Sequence, residues 1–103
     1  IFPGGYIPAL SETLAASERF RLIAADIETL RLHYAKTIRC WYANCMANRE
    51  AIIALHDERF FRMWTFYLAG AATVFEHGSM CNYQIQYTRS RRALPITRDY
   101  LYT

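Results

Sequence analysis

Two long apolar helical segments that follow one another directly constrain the fold of this chain more than any other feature. In the first, residues 33–55, apolar side chains three or four positions apart form one stripe: Tyr34, Ile38, Trp41, Tyr42 and Cys45. In the second, residues 57–76, the stripe consists of Phe60, Trp64, Tyr67, Leu68, Ala71 and Phe75. The spacing predicts two long helices with both tryptophans in the core.

The second segment carries signals for both of its ends. Asp57 is a good N-cap, and Gly78 predicts a left-handed C-terminal cap. Additional apolar residues lie off its main stripe, at Phe61, Met63 and Phe66. We therefore expect this helix to be buried on more than one side.

Two short segments have the properties of β-strands. Residues 82–88 alternate, with Tyr83, Ile85 and Tyr87 on one face, which is the strongest strand signal here. Residues 21–28 are short and apolar apart from their ends and Asp26, and we interpret them as a strand; a helix is the alternative, because their alanines favour one.

The remaining segments are short. Residues 1–8 predict a loop, residues 9–19 a short helix, and residues 89–103 an extended, mobile tail without an assigned role. With 103 residues, of which 53% are apolar and 16% aromatic, the chain is too apolar for disorder and is expected to form one packed, partial domain with 90–103 as its tail. Alone it should be mostly helical with two strands.

The excess positive charge is small and lies mainly in the tail. The net charge is +3, and the basic residues concerned are Arg89, Arg91, Arg92 and Arg98. Such a cluster can attract phospholipid headgroups or nucleic acid, but an ordinary solvated surface is the favoured interpretation. No run of about 18 apolar residues predicts a transmembrane helix.

The side chains that could bind a metal are scattered. Cys40, Cys45 and Cys81 form no CxxC pair, so we expect reduced thiols rather than a zinc site or a disulfide. The three histidines lie apart, near the ends of predicted elements. No glycine-rich phosphate loop is present, and no order of residues suggests a nucleophile. From the residues alone, the prediction ends at a helical domain with two strands.

Four segments of the sequence, taken in their order and spacing, indicate a protein family. They are IFPGGYIPALSETLAASE, DIETLRLHYAKTIRCW, ERFFRMWTFYLAGAATVFEHG and YQIQYTR. Together they resemble the C-terminal region of the cyclopropane-fatty-acyl-phospholipid synthases and mycolic acid cyclopropane synthases, over residues 1–89. Because the chain begins at Ile1 without a methionine, we expect it to be part of a longer polypeptide.

The resemblance implies an α/β fold, the C-terminal part of a class I S-adenosylmethionine-dependent methyltransferase. Residues 21–28 would be its sixth strand and residues 82–88 its seventh, antiparallel to each other, with both long helices inserted between them. The glycine-rich cofactor loop of the family is absent from this sequence. The chain alone should therefore bind no S-adenosylmethionine and be inactive.

The resemblance also implies a chemistry. In this family the double bond of an unsaturated acyl chain attacks the sulfonium methyl group, and loss of a proton from the resulting carbocation to bicarbonate closes the ring. The tyrosine that orients bicarbonate matches Tyr34, which the residues alone would make a first-turn core aromatic. Phe2, Pro3, Gly4 and Gly5 would line the acyl entrance, although a tight structural turn is about equally expected.

The expected substrate is the acyl chain of a phospholipid, and the expected location is the cytoplasm, peripheral to the inner membrane, without nucleic acid. Because the last strand would have one bare edge, we expect the chain alone to form homo-oligomers. A small helical interaction module without catalytic function is the alternative. A nucleic-acid or membrane binder that uses Arg89–Arg98 ranks third.

Overall fold

Four α-helices, two β-strands and one short 3-10 helix make up the chain, and the computed structural model describes all of residues 1–103. In chain order these are α1 (Leu10–Arg19), β1 (Ile23–Leu30), α2 (His33–Ala47), α3 (Arg49–Leu55), α4 (Glu58–His77), β2 (Asn82–Thr88) and the 3-10 helix (Arg98–Leu101). They form two units, one of residues 1–28 and 83–103 and the other of residues 29–82. No helix combines the length and hydrophobicity needed to span a bilayer.

The second unit is built around the packing of α2 against α4, with α3 also contacting α4. Its buried core consists of Ala35, Ile38, Leu68, Ala72 and Phe75. The predicted N-cap of α4 is confirmed, because the Asp57 carboxylate accepts a hydrogen bond of 2.6 Å from the Phe60 amide. The cap satisfies an amide that would otherwise have no partner in the first turn.

The predicted single helix over residues 33–55 is wrong, because the structure divides it into α2 and α3 at Asn48. Asn48 leaves the helical conformation, with φ −110° and ψ 26°. Its side-chain amide donates a 2.8 Å hydrogen bond to the Asn44 carbonyl, which also accepts from the Asn48 backbone amide at 3.1 Å. An asparagine that can bond the backbone through its side chain in this way favours a helix end.

Two expectations about buried apolar residues are corrected. Trp41 is 46% exposed, because the face of α2 that enters the core is centred on Ala35 and Ile38. On α4, Phe61 is buried as predicted, but Met63 and Phe66 lie on an exposed face. The amphipathic helix α4 is therefore buried on one broad side only.

Gly78 does end α4, but the predicted left-handed cap is wrong. Its φ is −92° and its ψ is −163°, which is extended backbone. A Cβ atom at this position would lie 2.6 Å from the Val74 carbonyl oxygen, so glycine is required for close approach rather than for its backbone angles.

The first unit connects α1 to β1 through a left-handed residue. Arg21 has φ 57°, its amide donates to the Glu18 carbonyl, and the Leu22 amide donates to the Ser17 carbonyl. This pair of hydrogen bonds is a Schellman motif. The motif occupies residues 20–22, so β1 begins at Ile23 rather than at the predicted residue 21.

The strands β1 and β2 form a two-stranded antiparallel sheet, as predicted. The alternation of β2 separates its side chains. The Tyr87 hydroxyl is 2.7 Å from the Ser17 hydroxyl of α1, whereas Gln84 and Gln86 line a cavity of about 470 Å³ together with Asp26 and Glu28 of β1.

The tail is not the extended segment that the sequence predicted. Its residues 98–101 form the 3-10 helix, where the Arg98 guanidinium binds the Asp26 carboxylate at 2.7 Å. The Tyr100 hydroxyl donates a 2.7 Å hydrogen bond to the Gln86 side chain. Two polar side chains of the sheet, those of Asp26 and Gln86, thus bind the tail. Each of them gains a hydrogen-bond partner by doing so.

Candidate functional site

Tyr34 lies in the first turn of α2, and its ring is held between two aromatic neighbours. The ring packs edge-on against Trp41 at a centroid distance of 5.8 Å and against Phe75 at 4.8 Å. The side chain is half-buried, and its hydroxyl makes no hydrogen bond. The phenol is thus a fixed hydrogen-bond donor without an acceptor among residues 1–103.

The position of Tyr34 against Phe75 follows from how α2 meets α4. The Arg39 guanidinium binds the Glu76 carboxylate through two hydrogen bonds, of 3.0 Å and 2.7 Å. This pairing lowers the pKa of Glu76 and raises that of Arg39. A bidentate pair fixes the register of two helices better than a single contact does.

The other predicted site residues form a tight turn in the first unit. The Gly5 amide donates a 3.1 Å hydrogen bond to the Phe2 carbonyl, and Gly4 has φ +70°. With Pro3 before Gly4, this is a type II turn. The segment thus forms a tight turn, and its position at an acyl entrance stays a prediction.

A hydrogen-bond network follows this turn. The Glu12 carboxylate accepts hydrogen bonds from the Tyr6 hydroxyl at 2.7 Å and from the Ala9 amide at 2.8 Å. The Tyr6 contact is the larger cause of the lowered pKa of Glu12, and the same contact raises the pKa of Tyr6. Glu12 thus joins the loop to the first turn of α1.

Sequence reasoning missed the polar cavity on the sheet. Arg98 lies on its wall, and the Asp26 carboxylate raises the pKa of this guanidinium. Asp26 is 87% removed from solvent, since its side chain is 13% exposed. An aspartate among apolar residues near the middle of a predicted strand was the available signal, because a carboxylate largely removed from solvent needs a partner.

The two sets of predicted site residues lie in different units, Tyr34 in the second and residues 2–5 in the first. The structure brings Tyr34 together with Trp41 and Phe75, and it brings Phe2 together with Gly5. No three side chains of the metal-binding types converge, and all three cysteines are free thiols.

The family is decided by a match over most of the chain. Residues 1–85 match the model of the family described as mycolic acid cyclopropane synthetase. The chain belongs to this mycolic acid cyclopropane synthetase family. The match includes Tyr34 and the turn at residues 2–5, and it confirms the resemblance seen in the four segments.

Two relatives of this cyclopropane synthetase family member are named as methyltransferases of fatty acids. A probable fatty acid methyltransferase of Pseudomonas putida is 39% identical over 99% of this chain and 27% of its own length. The tuberculostearic acid methyltransferase UfaA1 of Mycobacterium tuberculosis is 37% identical over 82% of this chain and 20% of its own length.

Solved structures agree with the family and confirm the α/β fold class. The cyclopropane synthase MmaA2 from Mycobacterium tuberculosis matches with a TM-score of 0.80 and 26% identity, over 84% of this chain and 30% of its own. The mycolic acid cyclopropane synthase CmaA1, complexed with SAH and CTAB, matches with a TM-score of 0.80 and 31% identity over the same shares. The family member described here thus spans less than a third of these relatives.

Proposed function

We propose that this chain is the C-terminal part of an S-adenosylmethionine-dependent methyltransferase that modifies the double bond of an unsaturated acyl chain. The observation that carries this proposal is the similarity to solved cyclopropane synthases, with a TM-score of 0.80 over 84% of the chain. One of those relatives was solved with SAH and the long-chain amphiphile CTAB. Cofactor and acyl chain are the two ligands that the proposed reaction needs.

Tyr34 is the residue of this chain that we assign to the reaction. Its hydroxyl has no acceptor among residues 1–103, and its ring is held by Trp41 and Phe75. These properties fit an oxyanion-orienting donor, which must be fixed in position and free to donate. When bound, S-adenosylmethionine supplies the one-carbon unit and bicarbonate takes up the proton released on ring closure.

The residues of this chain fit bicarbonate but not S-adenosylmethionine. The Tyr34 hydroxyl suits an oxygen of bicarbonate as a hydrogen-bond partner. For S-adenosylmethionine the fit is absent, because neither strand is followed by a glycine-rich loop that opens a helix. The cofactor site therefore belongs to another part of the protein, and residues 1–103 alone have no activity.

The substrate we assign is the acyl chain of a membrane phospholipid, and residues 2–5 line the entrance for that chain. A water-insoluble acyl chain is reached most directly from the membrane surface. The location we propose is the cytoplasm, peripheral to the inner membrane. The relatives' names include fatty acid and sphingolipid methyltransferases, which supports a lipid substrate in general.

The two-stranded sheet favours the interpretation of the chain as part of an enzyme over the alternative of a separate interaction module. Each of β1 and β2 pairs with the other only, so each has a second edge without a strand. A small module that evolved to stand alone would cover or pair such edges. A further strand of a larger sheet is the simplest partner for one of them.

The test of the proposal is a Tyr34→Phe substitution in the full-length protein. The change removes only the hydroxyl, so the aromatic contacts and the thermal midpoint should be kept. We expect the rate of methyl transfer from labelled S-adenosylmethionine to an unsaturated phospholipid to fall about 100-fold, the size of one general acid–base contribution.

Tyr42→Phe provides the matched control, because Tyr42 lies on the same helix and packs against the same core. This control should retain the wild-type rate. Equal rates for wild type and Tyr34→Phe would remove Tyr34 from the mechanism. Absence of any methyl transfer to lipid by the wild type would reject the function itself.

A further inference from the structure

We propose that the exposed face of α4 docks on an anionic lipid surface, with Phe66 entering the acyl region and Arg59 and Arg62 contacting headgroups. The inference rests on the proposed function, since an enzyme that modifies acyl chains must reach them. It adds the surface that makes this contact. This surface has a different role from that of Tyr34.

The docking face is a continuous stripe along α4 at helical spacing. Its exposed members include Arg59, Arg62, Met63, Phe66, Gly70 and Val74. Phe66 is 82% exposed, and Met63 and Val74 are 42% and 40% exposed. A Cβ atom added at Gly70 would meet no atom within 4 Å, so the middle of the face is open.

The charges on the docking face have one sign. Arg59 and Arg62 make no ion pair, and no carboxylate belongs to the stripe. The two glutamates of α4, Glu58 and Glu76, are paired with Arg49 and Arg39 of α3 and α2. The face therefore keeps an uncompensated positive charge that complements an anionic partner.

The combination of charge and exposed aromatic side chain favours a membrane over an acidic protein. A helix that lies in a membrane interface presents basic residues beside large apolar ones to the lipid. Its opposite side faces away from the lipid. The other side of α4 is occupied by its packing against α2, with Leu68 1% exposed. An acidic protein would be attracted by the two arginines but would not explain the 82% exposed Phe66 between Met63 and Gly70.

The test is co-sedimentation of the full-length protein with vesicles of phosphatidylglycerol and phosphatidylcholine. Arg59→Gln with Arg62→Gln should weaken binding about 25-fold, since each basic residue near an anionic surface contributes about a fivefold effect. Phe66→Ser should weaken it about tenfold through loss of apolar insertion. Higher salt should reduce the effect of the arginines but not that of Phe66.

The chain offers matched controls for both changes. Arg91→Gln with Arg92→Gln alters the same charge in the tail, and Phe20→Ser alters a phenylalanine that is 74% exposed elsewhere. Both controls should bind vesicles within twofold of wild type. Equal losses in the controls and in the α4 variants would overturn the assignment to this face.

A Phe66→Trp variant keeps the docking test independent of any unfolding by serine. Lipids brominated in the acyl chain should quench its added emission, and strong vesicle binding without this quenching would overturn insertion. One contrary outcome is that the arginine variants lose retention on polyglutamate resin while their vesicle binding is unchanged. That result would indicate an acidic protein partner and would also overturn the proposal.

Methyl transfer to a detergent-dispersed unsaturated acyl substrate separates the two proposals. The α4 variants should keep the wild-type rate on this substrate, because docking is not needed there. If the wild type transfers no methyl group but the variants lose vesicle binding as expected, the proposed function fails and the docking face stands. If vesicle binding is unchanged, the docking face fails whatever the rate.

Discussion

At the scale of single residues, two positions hold left-handed backbone and only one of them is glycine. Arg21 has φ 57° in the Schellman motif after α1, and Gly4 has φ +70° in the turn at residues 2–5. A side chain in this region costs roughly 1–2 kcal/mol, which glycine avoids. The Arg21 side chain makes no hydrogen bond or ion pair that would offset the cost.

Arg21→Gly should therefore stabilise the protein by about 1 kcal/mol, measured as the free energy of unfolding in urea. Gly4→Ala is the opposite test, because a Cβ at residue 4 meets no atom within 4 Å and only the backbone conformation is affected. It should destabilise by about 1 kcal/mol. A neutral result for both would mean that neither position retains its left-handed conformation.

The Arg39–Glu76 pair predicts a dependence of stability on pH. The contact lowers the pKa of Glu76 below its usual 4.5, so its contribution is complete above pH 4.5 and is lost as pH falls through the folded-state value. Thermal midpoints of wild type and Glu76→Gln should differ at pH 7 and converge as pH falls below 4.5. Glu18→Gln, at a residue without an ion pair, should match wild type at pH 7; a gap for Glu76→Gln that does not narrow as pH falls below 4.5 would contradict the linkage.

At the scale of elements, the joint between the tail and the sheet is the feature most open to test. Arg98 and Tyr100 bind side chains of β1 and β2, and Asp26 is the more enclosed partner. Asp26→Asn removes the charge while keeping the shape. We expect residues 96–101 to exchange amide hydrogens faster, by at least fivefold, while α4 is unchanged.

Glu28→Gln serves as the control for this joint, since Glu28 lines the same cavity without binding Arg98. Unchanged exchange in Asp26→Asn would show that the 3-10 helix is held by Tyr100 or by packing alone.

The elements also show how far sequence patterns reach. The period-two alternation of residues 82–88 predicted β2 with its bounds, because successive side chains of a strand point to opposite faces of the sheet. The apolar stripe of residues 33–55 did not reveal the break at Asn48, since hydrophobic spacing continues through it to Ile52 and Ile53. The exposed Trp41 was missed for a related reason: periodicity finds a stripe, but the partner helix decides which edge of the stripe is covered.

The candidate site was predictable only by resemblance. Nothing in the spacing of Tyr34 separates it from the other half-buried tyrosines, and the aromatic contacts that hold it come from residues 7 and 41 positions away in sequence, Trp41 and Phe75. The Asp26–Arg98 pair spans 72 positions and was equally invisible, because no local pattern encodes such distant partners.

At the scale of the whole molecule, the share of the relatives that this chain covers leads to a prediction. The chain spans 27% of the Pseudomonas putida relative and contains no glycine-rich cofactor loop. Residues 1–103 alone should therefore release no heat when titrated with S-adenosylmethionine, and they should self-associate through an open edge of the sheet. Light scattering should give a mass above the 12.1 kDa of one chain.

The full-length protein is the control for this experiment and should bind the cofactor. Binding of S-adenosylmethionine by residues 1–103 would contradict the division of the site, and a 12.1 kDa species at high concentration would contradict self-association.

The turn at residues 2–5 has a consequence for how a large enzyme could be assembled. Its closing hydrogen bond lies entirely within four residues, Pro3 fixes its own φ, and Gly4 adopts a positive φ without steric cost. The segment is therefore pre-organised before any neighbour reaches it. A surface that packs on it, whether protein or hydrocarbon, meets a rigid corner and loses little conformational entropy on contact.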